Sequence, residues 1–249
     1  MARGSTEQRD RIFRKQQESI TDFSFGQETA TVFDDMLHRS IPFYDEIQRM
    51  VSELVADFAA DGTNIFDLGC STGNTLMAIG KTVPKERNVR LIGIDYSEEM
   101  IEKARQKLQQ AQLGHEYELR DGDLNQGGYI DNASVVLLIL TLQFVRPLYR
   151  DLLLANIYRG LKPNGCVIIV EKVLGEHSAF NRLFIKHYYE MKKRQGYSEL
   201  EIAQKREALE NVLIPYRVKE NEELLERAGF KHVDIFFKWY NFCAMIAFK

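Results

Sequence analysis

The residues best placed to do chemistry form an acid-then-small run, Asp67-Leu-Gly69-Cys70-Ser71-Thr-Gly73, that follows the apolar Ile65, Phe66 and Leu68. Gly69 and Gly73 permit positive φ and let a ligand approach the backbone closely. Asp67 closes a short run suited to a strand buried on both faces, and open α/β sheets take their ligands at that carboxyl end. A phosphate cradle needs exposed N–H groups and usually a Lys or a third Gly. The stretch has neither Gly-Lys-Ser/Thr nor a complete Gly-x-Gly-x-x-Gly. A carboxylate two residues before the first Gly suits a cationic ligand better.

Two more acids recur at comparable places. Asp95 ends the apolar Val89, Leu91, Ile92, Ile94 run, where a carboxylate can accept two hydrogen bonds from the vicinal diol of a ribose. Asp123 follows a third candidate strand; it can accept from an adenine amino group while Leu124 packs on the base, and the same residues also suit a solvated Asp-Gly turn. Tyr44, beside Pro42 and Phe43, is a candidate lid residue or a core aromatic at a helix start.

The elements that must hold these residues read as α/β. Ile47, Met50, Val51, Leu54, Val55 and Phe58 recur at helical spacing and predict an amphipathic helix over 44–59, after another over 28–38. From residue 64 strands and helices alternate, as in a parallel sheet with crossover helices. Strands are expected at 65–68, 89–95, 116–119, 133–140 and 166–170, with helices at 75–82, 97–112 and 149–161. Ser97 should cap its helix, with Glu98 and Glu99 in the first turn. Inserted helices follow over 173–215, the second from 198 to about 212. Strands at 233–238 and 242–248 lie too close for a crossover helix and should pair antiparallel, completing seven. The chain reads as one unit, with a helical lead-in or lid at 1–60 packed on a ligand-binding α/β domain at 61–249.

Composition narrows the function. With a net charge of -3 and a pI near 6, no broad basic face for stable nucleic-acid binding is expected. Cys70, Cys166 and Cys243 are odd in number and lack C-x-x-C spacing, which favours a reduced cytoplasmic compartment over a disulfide framework or zinc cluster. The five histidines show neither metal spacing nor a paired nucleophile, so neither a metal site nor a histidine role in catalysis is expected. Neither an apolar signal core nor a membrane-spanning run is evident.

The Asp-x-Gly-x-Ser-x-Gly run resembles the first motif of class I methyltransferases, whose Rossmann-like seven-stranded sheet, mostly parallel with an antiparallel last strand, binds S-adenosylmethionine. A closer resemblance lies in Gly196-Tyr-Ser-Glu-Leu-Glu-Ile-Ala-Gln-Lys-Arg206, in Arg39-Ser-Ile-Pro-Phe-Tyr44, in Asp67-Leu-Gly-Cys-Ser71 and in Thr141-Leu-Gln-Phe144. Together these are similar to the carboxy-S-adenosylmethionine synthases, over most of residues 25–248. The resemblance implies conversion of S-adenosylmethionine and prephenate to carboxy-S-adenosylmethionine and phenylpyruvate, feeding modification of a tRNA wobble uridine, by a homodimer. It implies cofactor contact by Tyr44, by Gly69, Cys70 and Ser71 beyond Asp67, by Asp95 with Tyr96, by Asp123 with Leu124 and at Ile139, and places Arg206 at the catalytic centre as holder of the new carboxylate. Two of those positions depart from the family pattern, since Ile139 and Tyr96 each stand where the family generally has Asn.

The implied chemistry accounts for an arginine. A methyl on a sulfonium is weakly acidic, and the ylide left by proton loss can capture the carbon dioxide released from prephenate. The carboxylate so formed suits a guanidinium fork. Prephenate brings two carboxylates of its own, for which Lys172, Lys205 and the basic edge Lys186, Lys192, Lys193, Arg194 are unranked candidates. The alternative is a conventional methyltransferase acting on a small molecule or tRNA, favoured by Ile139 and opposed by the intact Gln204-Lys205-Arg206 stretch. A non-catalytic binding partner would show a degraded loop or a strongly basic face, and the sequence has neither.

Overall fold

Alternating side chains on the strands build the molecule. In the computed structural model, which describes residues 9–127 and 130–249, β1 (Asn64–Leu68) is flanked by β2 (Arg90–Asp95) and β4 (Ala133–Ile139), with β3 (Glu116–Asp121) beyond β2 and β5 (Leu161–Lys172) beyond β4. All five run parallel. β7 (Phe242–Phe248) pairs antiparallel with both β5 and the edge strand β6 (His232–Trp239), giving the order β3-β2-β1-β4-β5-β7-β6. The order reverses between β1 and β4, which is where such sheets open a crevice at their carboxyl ends.

Each face of the sheet carries one helical layer, because successive strand side chains point to opposite sides. Ile65, Leu91, Val135, Leu137, Ile168 and Val170 pack with Ile47, Val51 and Val55 of α2 (Tyr44–Phe58) and with Leu76 and Ile79 of α3 (Asn74–Thr82). Phe66, Leu68, Ile92, Val136 and Val167 pack on the other side with Leu153, Leu154 and Ile157 of α5 (Pro147–Gly160) and with Leu224 and Leu225 of α8 (Val218–Ala228). α4 (Glu98–Ala111) begins as its sequence requires, the Ser97 hydroxyl accepting from Met100 N at 3.2 Å.

Most expected elements stand within two residues of their place, and the exceptions have causes. β5 starts at Leu161, which still pairs with Ala133, and loops out 162–165 before Cys166 resumes the ladder against Val135. β4 stops one residue early because Leu140 turns to φ +60°. The unforeseen element is α8, over a stretch whose sequence predicts no element: the Arg217 backbone donates to Glu220 at 2.7 Å, and Gly229 at φ +113° ends a helix that packs on α5. The lead-in holds α1 (Gln27–Ser40) and α2; the insertion holds α6 (Ser178–Arg194) and α7 (Glu199–Leu209).

Candidate functional site

Three strand ends and a strap of lead-in chain enclose one crevice. At its centre the loop after β1 turns sharply: Gly69 takes φ +76°, and a Cβ there would lie 2.6 Å from the Thr141 side chain, so only glycine fits. Ser71 also adopts positive φ, and its N–H donates to Asp95 Oδ2 at 2.8 Å while Ser97 N–H donates to Asp95 Oδ1 at 3.0 Å. Asp95 thus fixes the loop and faces the cavity. Its burial raises its pKa, against the lowering effect of those N–H groups.

Asp67 is not part of the wall. It is 1 % exposed, its Oδ2 has no hydrogen-bond partner among the described residues, and burial followed by the charge of Asp95 pushes its pKa up to about 7. Gln48 Oε1, on the wall, is likewise buried and without a partner. Buried acceptors are normally satisfied, so two orphans beside one loop match a ligand that arrives with positive charge and N–H donors. The residues present fit S-adenosylmethionine on that ground.

Tyr44, Gly69, Cys70, Ser71, Asp95, Tyr96, Asp123, Leu124 and Ile139 all line this crevice. Asp123 caps a short 3-10 turn at residues 124–126, accepting from Asn125 N at 2.9 Å. Tyr96 is 59 % exposed at the mouth, and burial of its ring side followed by Asp95 and Asp123 pushes its hydroxyl up to about 12. Tyr44 is buried, with its hydroxyl accepting from Asn74 Nδ2 at 3.4 Å, and lines the crevice.

Arg206 is the exception. It lies on the exposed side of α7 in a separate shallow depression with Arg182, Tyr189 and Glu190, outside this chain's crevice. Helical geometry is the reason: consecutive residues turn by about 100°, so Gln204 and Lys205 point inward and Arg206 outward. Each inward neighbour has a task. Gln204 donates to the carbonyls of Phe13 and Lys15, both at 2.9 Å, and accepts from Gln17 N at 2.8 Å, stitching the lead-in strap onto α7. Lys205 lines the crevice.

Sequence reasoning missed that strap. Phe25 stacks edge-on against Phe144 at 5.2 Å and Tyr96 at 6.2 Å, and its carbonyl accepts from Ser97 Oγ at 2.7 Å. Asp34 of α1 accepts from Thr72 at 2.7 Å and Asn74 at 2.9 Å and pairs with Lys107 at 2.5 Å, tying α1 to the loop after β1. An aromatic before a helix was the available signal, but nothing in its spacing gives its partner.

Opposite the acidic loop the crevice is basic. Lys172 at the end of β5 and Lys205 line it with Ser40, Tyr188 and Phe242. Burial alone depresses Lys172 to about 8, and burial, opposed by nearby Asp10, leaves Lys205 at about 8. The basic edge of α6 does not line the crevice: Lys193 is half-exposed and paired with Glu199 at 2.8 Å.

Comparison with known proteins agrees with this layout. A model of a methyltransferase domain matches residues 65–165, from β1 to the turn into β5. The chain is 57 % identical over 97 % of its length to the carboxy-S-adenosyl-L-methionine synthase of Methylococcus capsulatus, covering 99 % of that protein, and 44 % identical over 96 % of its length to that of Nautilia profundicola, again covering 99 %. The chain belongs to the carboxy-S-adenosyl-L-methionine synthases. It is therefore a transferase that uses S-adenosyl-L-methionine, on a Rossmann-like class I methyltransferase fold. Structures with that fold include an O-methyltransferase family protein from Burkholderia thailandensis, with a TM-score of 0.64 at 16 % identity over 93 % of this chain and 65 % of that one. Another is human N-acetylserotonin methyltransferase in complex with SAM, with a TM-score of 0.59 at 16 % identity over 90 % of this chain and 55 % of that one. Among the described residues no helix is long and apolar enough to cross a membrane, and no group of three or more His, Cys, Asp or Glu is placed to hold a metal.

Proposed function

We propose that this enzyme converts S-adenosyl-L-methionine and prephenate to carboxy-S-adenosyl-L-methionine, phenylpyruvate and water, in the cytoplasm, as a step toward the carboxymethyl group of a tRNA wobble uridine. The observation that carries the reading is the two-ended crevice: beyond the acidic loop that fits a sulfonium nucleoside, the cavity continues to Lys172 and Lys205. A methyl donor is itself cationic and gains nothing from two buried ammonium groups, whereas an anionic co-substrate does. The sulfonium methyl supplies the carbon, prephenate supplies carbon dioxide, and the hydroxyl leaving prephenate takes the methyl proton, so no side chain need act as base.

The chain's own residues bind and exclude. Asp95 and the Gly69–Ser71 backbone hold the nucleoside end, Asp123 and Leu124 the base, and Gln48 the charged methionine part, with the Asp67 carboxylate acting on it from behind the wall. The lead-in of residues 1–60 serves as the lid, its described part reaching the crevice through Phe25 and Tyr44, which line it. Arg206 faces away from this crevice, so in this reading it reaches the product carboxylate of a second copy. That supports a homodimer, for which the exposed Phe180 and Leu183 of α6 supply a contact.

Incubation with S-adenosyl-L-methionine, with and without prephenate, followed by mass spectrometry, tests the reading. A carboxylated nucleoside should appear only with prephenate, which is consumed. A methylated acceptor with prephenate untouched would establish plain methyl transfer, the chemistry that the apolar Ile139 in the wall would also serve. Arg206→Lys should weaken retention of carboxy-S-adenosyl-L-methionine more than that of S-adenosyl-L-methionine, because Lys keeps the charge and loses the fork. Equal losses would show that Arg206 holds structure and not the carboxylate.

A further inference from the structure

Behind the crevice wall lies a third lysine that the reaction above does not use. Lys192 of α6 is 4 % exposed, with Nζ 5.0 Å from the Tyr197 ring and 5.7 Å from that of Tyr188. Lys172 Nζ sits 4.9 Å from the Tyr188 ring, and Lys205 Nζ 5.7 Å from that of Tyr197, so two tyrosine rings bridge three ammonium groups. The charges facing Lys192 are those of Lys205, Lys172, Asp10 and Arg39. Of the carboxylates, Asp10 lies 3.6 Å from Lys205 and accepts from Tyr197 at 2.6 Å, while Asp35 pairs with Arg39 at 3.2 Å. Four basic groups thus meet two carboxylates in a buried cluster that opens into the crevice at Lys172 and Lys205.

Buried like charges on this scale are held in proteins when something supplies the counter-charge. With all four basic groups protonated, the cluster lacks two negative charges. We propose that Lys172, Lys192 and Lys205, bridged by Tyr188 and Tyr197, form the binding site for a small dicarboxylate, the co-substrate of the reaction. This rests on the proposed function for the identity of that dianion, prephenate, and adds the residues and the charge requirement. Lys172 and Lys205 meet the carboxylates, and Lys192 acts through them as a positioning charge. Burial, and after it the like charges of Lys205 and Lys172, hold Lys192 down to about 6, so the cluster takes up protons as the dianion enters.

Calorimetric titration of the full chain, saturated with S-adenosyl-L-methionine, with prephenate at pH 8 in buffers of different ionisation enthalpy should show net proton uptake. The monoanion phenylpyruvate should bind much more weakly. Lys172→Met and Lys192→Met should each raise the KM for prephenate by roughly tenfold or more, as expected for loss of one charge contact, with the Kd for S-adenosyl-L-methionine unchanged. Lys192→Arg should restore part of the loss. If wild-type protein turns over prephenate and both Met variants keep its KM, or if no protons are taken up, the dicarboxylate site is overturned and the reaction stands. If prephenate binds in a lysine-dependent way without turnover, the reaction assignment falls and the site stands. Absence of both binding and turnover removes both.

Discussion

The two ends of the crevice are built in opposite ways. The acidic end is made by the sheet: Asp67, Asp95 and Asp123 stand at or just beyond the carboxyl ends of β1, β2 and β3, three neighbours in a parallel ladder, and backbone N–H groups set the positions of Asp95 and Asp123. The basic end is made by tertiary packing: Lys172 comes from β5, Lys192 from α6 and Lys205 from α7, and the chain near Asp10 is pinned beneath them by Tyr197 and Arg39. Each end disfavours its own charge. Asp67 and Asp95 are pushed up, Lys172, Lys192 and Lys205 pushed down, and burial is the largest cause in every case. A site that buries uncompensated charge of opposite sign at its two ends is complementary to a cation and an anion brought together, which is what carboxyl transfer to a sulfonium methyl demands.

The sharpest way to break the acidic end is Asp95→Ala. It removes the acceptor for Ser71 N–H and Ser97 N–H and a group facing the nucleoside, so S-adenosyl-L-methionine binding should weaken by about 3 kcal/mol, roughly a hundredfold. Equilibrium titration measures it, and a change below about threefold would mean that Asp95 serves only the loop. On the basic end the contrast lies between neighbours. Gln204→Ala loses three hydrogen bonds to the lead-in strap and should cost about 1–3 kcal/mol in urea unfolding, with faster proteolytic nicking before Phe25. Arg206→Ala, two positions on and exposed, should stay within about 0.5 kcal/mol. Equal stability of the two variants would show that the strap is not held by α7.

This contrast also marks what could be seen in the sequence. The sheet end was legible because strand periodicity and the acid-glycine run are local: Asp67, Gly69, Asp95 and Asp123 follow from alternation and from where apolar runs stop. Helix α8 was not, because Asn221, Glu222 and Glu223 surround Leu224 and Leu225 with a polar pattern that shows its buried side only against β5 and α5. The basic end was half legible. Lys172 and Lys205 were among the candidates, but choosing them over Lys193 needs the packing that buries one set and leaves the other paired in solvent. Lys192 was grouped with the solvated edge, and its inward turn is a property of α6 against Tyr197. Arg206 was identified by resemblance alone, and the single-chain crevice does not contain it.

The smallest effect separates the two acids that crowd the loop. With Asp67 pushed up to about 7 by burial and by Asp95, the protein without ligand holds a proton there through mildly acidic pH. An Asp raised in the folded state binds more protons than its unfolded counterpart between its ordinary value and about 7, so it lowers stability progressively as pH rises across that window. A cationic ligand reverses the preference, since it binds the carboxylate and expels the proton. Affinity for S-adenosyl-L-methionine should therefore rise about tenfold from pH 6 to pH 8, flattening above. Asp67→Asn has no proton to lose and should bind with a flat profile over that range, at the cost of some affinity. If the slope survives in Asp67→Asn, the titrating group is Asp95, and the orphaned Asp67 oxygen is a structural acceptor for the loop and not part of the cation site.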